Sequence, residues 1–145
     1  SQFFVGPAVN AILILTAVIC GSIYGVLVGS LTPLLAWLTG QLASVLGPFI
    51  PFIIIGNIIF VLSFVILNKH GKYGKYLGIL IGSFIKYVFL SISASKLLPL
   101  FKLNMPPKIV NKLVITMGTP QLITALIGGA FALILIEILR KRKAL

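Results

Sequence analysis

Acidic side chains are almost missing from this chain. Its 145 residues include one, Glu137, against twelve Lys and Arg, for a formal net charge of +11. A single carboxylate cannot form the acid pair that general acid–base chemistry uses. It also leaves proton or sodium coupling without the intramembrane acids that such coupling runs on. Cysteine is as scarce. Cys20 stands alone, so no intrachain disulfide is available, and in an apolar segment it reads as a small packing residue. His70 is the one histidine and falls in a polar turn, so no His/Cys/Asp cluster with metal-ligand spacing exists. There is no Walker A motif and no dinucleotide fingerprint, so the chain does not hydrolyse ATP by itself. The sequence points away from an enzyme and implies no cofactor.

What the chain has in abundance is apolar sequence. It is 59% hydrophobic, with a mean hydropathy of +1.20. A soluble core of this size needs far less, so an integral membrane protein is expected. Only helices and closed barrels satisfy their backbone in lipid. The apolar runs are unbroken rather than alternating, which selects helices. The fold class is thus an all-α polytopic membrane bundle forming a single transmembrane domain over 1–145. The large positive charge would suggest nucleic acid in a soluble chain. Here the basic residues fall between apolar runs, where they set topology, and no nucleic-acid partner is expected.

Five spans are visible. The first runs from about Val5 to Cys20 and the second from about Ser22 to Leu38. The third is "PFIPFIIIGNIIFVLSFVIL", the fourth "LGILIGSFIKYVFLSISASK" ending near Ser95, and the last Pro120 to Leu139. Twenty residues at 1.5 Å each give roughly 30 Å, one hydrocarbon thickness. Thr119, Pro120 and Gln121 read as N-cap, N1 and N2 of the last helix. Lys69, Lys72 and Lys75 share a side with the terminal "RKRK", and that side should be cytoplasmic in a cell membrane. The C-terminus is then cytoplasmic, and 39–47 and 96–112 are external loops. Lys96, Lys102, Lys108 and Lys112 make the second loop a set of headgroup-snorkelling lysines or a cationic rim for an anionic solute. The start "SQFFVGPAVN" would be external, with neither charge nor signal peptide. A first helix is therefore expected to be missing from the sequence, the full protein having six spans and both ends inside.

Small residues recur at helical spacing: Gly21, Gly25 and Gly29; Gly78 and Gly82; Ala125 and Gly129; Gly128 and Ala132. Such stripes let helices approach closely in lipid, either within one bundle or against a partner. Polar residues sit where lipid disfavours them. Asn10 lies below the external surface, Asn57 is near mid-span, and Gln121 and Thr124 occupy the first outer turns of the last helix. Ser83, Lys86 and Ser93 fall within about 80° on the fourth span, flanked by Tyr87, while Trp37 and Gln41 close the second. Lys86 is the residue that needs an explanation. Glu137 lies near the other end of its helix, where Arg140 or Lys141 can pair with it. Lys86 must therefore reach a water-filled cavity, give up its proton, snorkel, or meet an anion from outside the chain. The partial positive charge at the start of the last helix favours a carboxylate or phosphate nearby.

The segments "GSIYGVLVGSLTPLLAWLTG", "GPFIPFIIIGN", "GSFIKYVFL" and "GTPQLITALIGG" resemble the substrate-binding (S) components of energy-coupling factor (ECF) transporters over nearly the whole chain. The resemblance implies a six-helix membrane protein, here lacking its first helix. Such a protein binds a vitamin, precursor or similar nutrient in an outward cavity. It docks on a transmembrane coupling protein carrying two ATP-binding-cassette ATPases. By position, the family's binding residues fall on Trp37 to Gln41, Asn57, Lys86, Tyr87 and Gln121. The other reading is a non-binding structural or assembly subunit of a larger membrane complex, its glycine faces serving contacts only. A stand-alone facilitator would need a path through both leaflets, and the inner halves of the spans are almost wholly apolar.

Overall fold

The computed structural model describes residues 2–40, 47, 49–97 and 107–142. The chain forms α1 (Gln2–Ile19), α2 (Ser22–Leu38), α3 (Ile50–Asn68) and α4 (Gly74–Ile92), which runs on as a π-helical turn, Ser93–Leu97. A short α5 (Pro107–Thr116) and a long α6 (Thr119–Lys141) follow. Ile50–Asn68, Gly74–Lys96 and Thr119–Lys141 are each long and apolar enough to cross a membrane, and Val5–Ile19 and Ser22–Leu38 are shorter apolar helices. The protein is an all-α membrane bundle.

Two details depart from the sequence expectation. The stretch 96–112 was expected as a loop but contains the first part of α5, a ten-residue helix. Its alternating pairs of apolar and polar residues give an amphipathic helix too short and too charged to register as a span. The cap of α6 is also displaced. Gly118 is its N-cap, without a side-chain cap, and Pro120 lies inside the first turn.

The long helices form a closed ring in which α1, α2, α3 and α4 pack in succession and α6 bridges α4 back to α1. Lipid removes the hydrophobic drive between helices, so close approach through small residues must supply the association. Gly25 and Gly29 of α2 meet Ala17 of α1 and Val61 and Asn57 of α3. Gly78 and Gly82 of α4 receive Phe64 and Phe60, and Gly129 receives Ile79. At Gly128 a β-carbon would stand 2.5 Å from the Pro7 carbonyl oxygen and 2.8 Å from Asn10 Cβ. Backbone therefore meets backbone there, and α1 is drawn in far enough to bury Asn10. Gly21 serves differently. Its φ of 115° turns α1 directly into α2, and nothing packs on it.

Leu13, Ile14, Phe60, Val61, Phe64, Ala132 and Ile136 fill one half of the bundle. A second cluster of Phe49, Leu90, Ala94 and Met117, with Val114 of α5 against it, lies at the other end. Between the two clusters sit the buried polar side chains.

Candidate functional site

Lys86 is 3% exposed, so it does not snorkel. The reason lies in helix geometry. Side chains lean toward the N-terminus of their helix, and in α4 that direction leads away from the nearer end of the bundle. The ammonium donates a 2.7 Å hydrogen bond to Asn10 Oδ1 and lies 5.4 Å from the centre of the Phe60 ring, within cation–π range. Among the described residues, Asn10 is its hydrogen-bond acceptor. The one acidic side chain, Glu137, is 4.0 Å from Lys141 in an exposed pair near the end of α6. The ammonium has three donors, so its hydrogen-bonding capacity is not exhausted. One turn deeper, Ser83 Oγ is buried with no partner among the described residues, whereas Ser93 Oγ donates to the Phe89 carbonyl at 2.7 Å.

The orientation of both asparagine amides follows from their partners. An ammonium only donates, so Asn10 must offer Oδ1 to Lys86, and its Nδ2 donates to the Gly6 carbonyl at 3.0 Å. Asn57 Nδ2 donates to the Gly29 carbonyl of α2 at 2.9 Å. In a regular helix that carbonyl would accept the N–H four residues on. That residue is Pro33, which has no N–H. Asn57 thus supplies the donor that the proline withholds, and its Oδ1 is left as an acceptor.

On α6, Gln121 and Thr124 are both buried. Thr124 Oγ1 donates to the Gln121 carbonyl at 3.2 Å, and its methyl group closes against Gly6 of α1. Thr124 therefore joins α1 to α6 rather than facing open space.

Asn10, Asn57, Lys86 and Gln121 line a single cavity of about 140 Å³. Thr32 is its other polar wall, and Val5, Val9, Ile53, Leu90 and Met117 are among its apolar ones. Each of the five long helices contributes a polar side chain. Thr32 and Met117 escape a sequence reading. Thr32 satisfies its own hydroxyl on the Val28 carbonyl, the ordinary behaviour of a threonine in a helix, and Met117 carries no polar signal at all.

The remaining sequence candidates lie elsewhere. Tyr87 is half-buried beside Phe84, their ring centres 6.2 Å apart, and does not line the cavity. Trp37 is 37% exposed and packs its indole over Gly47, also away from the cavity lining. Gln41 lies outside the described residues, as does Lys102. Lys96, Lys108 and Lys112 are exposed at the cavity end of the bundle.

The arrangement can hold a small solute by one basic side chain and a few amide and hydroxyl groups, within otherwise apolar walls. It offers no carboxylate and no activated nucleophile. The model of one protein family, described as ECF transporter, substrate-specific component, matches residues 4–140. No curated protein matches the chain, and no solved structure does.

Proposed function

The chain belongs to the substrate-specific components of ECF transporters, and from that premise we propose that it captures a small anionic nutrient, a vitamin or precursor, in the cavity around Lys86. Membership implies a membrane complex with a coupling protein and ATPases. In this reading the cavity end faces outward and the C-terminus lies in the cytoplasm. The ligand is released inward by the ATPase-driven module, and the chain performs no catalysis of its own.

One observation carries the proposal. A lysine is held in the bundle interior on a neutral acceptor, Asn10, beside a cavity. Burying an ammonium without a counter-ion is costly. An arriving carboxylate or phosphate would supply the missing charge and a stronger, charge-assisted hydrogen bond. The start of α6, which brings Gln121 to the cavity, adds partial positive charge to the same end.

The reading as an assembly subunit draws less support. The glycine and alanine faces that would serve a partner meet neighbours within the chain, as at Gly25, Gly29, Gly78, Gly82, Gly128 and Gly129. A facilitator is disfavoured by the packed half of the bundle below Lys86, where Phe60, Val61 and Phe64 are 0–1% exposed.

The test is a binding comparison between the parent and Lys86→Met, purified and exposed to a rich-medium metabolite extract, with bound small molecules identified by mass spectrometry. Methionine keeps the length and apolar stem of lysine and removes the charge. An anionic metabolite held stoichiometrically by the parent should bind Lys86→Met about 100-fold more weakly, roughly 3 kcal/mol. Equal retention by the two proteins would remove Lys86 from the site.

A further inference from the structure

Resting on the reading of the cavity as a ligand site, we infer that its ligand is a monoanion no larger than a single six-membered ring bearing one acidic group. Three features of the cavity set these bounds.

The first is size. The cavity measures about 140 Å³, and an engineered apolar cavity of about 150 Å³ takes up benzene. Ligand sites for larger molecules run from about 300 Å³ upward. A fused two-ring body or a nucleotide-like ligand exceeds the space that Ile53, Leu90 and Met117 bound on the apolar side.

The second is charge. The lining holds one cation, Lys86, and no acid. One negative group meets the ammonium. Among the described residues no second cation lines the cavity, Lys96, Lys108 and Lys112 being exposed and outside it, so a second negative group would be desolvated without a counter-ion. A cationic ligand would face Lys86 without compensation.

The third is the distribution of polarity. The polar groups are gathered on Lys86, Asn10, Asn57, Gln121 and Thr32, while Val5, Val9, Ile53, Leu90 and Met117 present only carbon or sulfur. A ligand that is polar all round would strand several of its groups against these walls. The ligand therefore has one ionised end, a hydrogen-bonding atom or two for the amides, and an otherwise apolar body. Asn10 Oδ1 accepts from one of the three Lys86 donors, and the ligand's anionic oxygen takes another.

Four compounds separate these requirements: benzoate, its neutral isostere benzamide, the dianion phthalate, and the two-ring 2-naphthoate. Each is titrated by ligand-observed NMR into the parent protein, Lys86→Met and Asn10→Asp. The last keeps the ammonium but meets its charge from within. We expect benzoate to bind the parent at least tenfold more tightly than the other three, and both variants to lose that preference. If phthalate or naphthoate binds as well as benzoate, but still depends on Lys86, the size and charge bounds are wrong while the anion site stands. If none of the four binds, or all bind the variants as they bind the parent, the cavity is not an anion site and the underlying reading falls as well.

Discussion

A lysine in a membrane bundle is a question about where its charge is answered. Lys86 is answered here by an amide oxygen and an aromatic face, both neutral, so the site is poised rather than satisfied. Asn10→Asp tests this, at the cost of the bond that the Asn10 amide donates to the Gly6 carbonyl. A carboxylate 2.7 Å from the ammonium would replace a neutral acceptor with a charged one, and hydrogen bonds to charged groups contribute about 1.5–3 kcal/mol. Both Asn10→Asp and Asn10→Leu lose the bond to the Gly6 carbonyl, so Asn10→Asp should unfold in detergent at a clearly higher midpoint than Asn10→Leu. If Asn10→Asp proves no more stable than Asn10→Leu, Lys86 is neutral or has another partner. The depth of Asn10, Asn57, Lys86 and Gln121 was legible in the sequence, because a polar side chain inside an apolar run has few places to go. Trp37 and Tyr87 were not separable in the same way. An aromatic residue near a span end looks alike in sequence whether it lines a cavity or rests against a neighbour. Thr124 is as deep as the others but is engaged in holding α1 to α6.

Within the helices, Pro33 and Asn57 form a unit that neither residue explains alone. Pro33 breaks the hydrogen-bond ladder of α2 one turn after Gly29, and Asn57 mends it from α3. Asn57→Leu should leave the Gly29 carbonyl buried and unpaired, a loss of about 1–3 kcal/mol. Pro33→Ala restores the N–H, so in its background Asn57→Leu should do markedly less harm. A double-mutant cycle by chemical or thermal unfolding measures the coupling, and additive effects of the two changes would dissolve the unit. This pairing was invisible in the sequence, since 24 positions separate the two residues and nothing local marks the partner. The long helices were legible because hydropathy alone demands them. α5 was not, because its ten residues alternate lysine and asparagine with aliphatic side chains and imitate a polar connection. The glycine stripes forecast close packing correctly at Gly25 and Gly29. Gly21, in step with them by spacing, belongs instead to the turn.

Across the whole molecule, the larger basic cluster and the cavity lie at opposite ends, with Lys96, Lys108 and Lys112 exposed at the cavity end. Lys69, Lys72, Arg140, Lys141 and Arg142 are exposed at one end, and the mouth lined by Val5, Ala36 and Gln121 is at the other. Cys20, exposed in the turn between α1 and α2, marks the end away from the cavity. With that end cytoplasmic, a membrane-impermeant maleimide should reach Cys20 only after cells are permeabilised. Lys108→Cys in a Cys20→Ser background should react in intact cells. The reverse pattern would turn the cavity inward and remove the basis for uptake. The all-helical bundle was legible from composition and spacing and the family from the resemblance of four segments, whereas a cavity assembled from α1, α2, α3, α4 and α6 is a property of the closed ring alone. That construction has a thermodynamic consequence. No isolated helix or hairpin holds the site, so a molecule that binds it stabilises the assembled chain and has no hold on the unassembled one. At a hundred times its Kd such a ligand adds about 2.7 kcal/mol to stability. The survival of this protein in the membrane would then track the supply of the nutrient it captures.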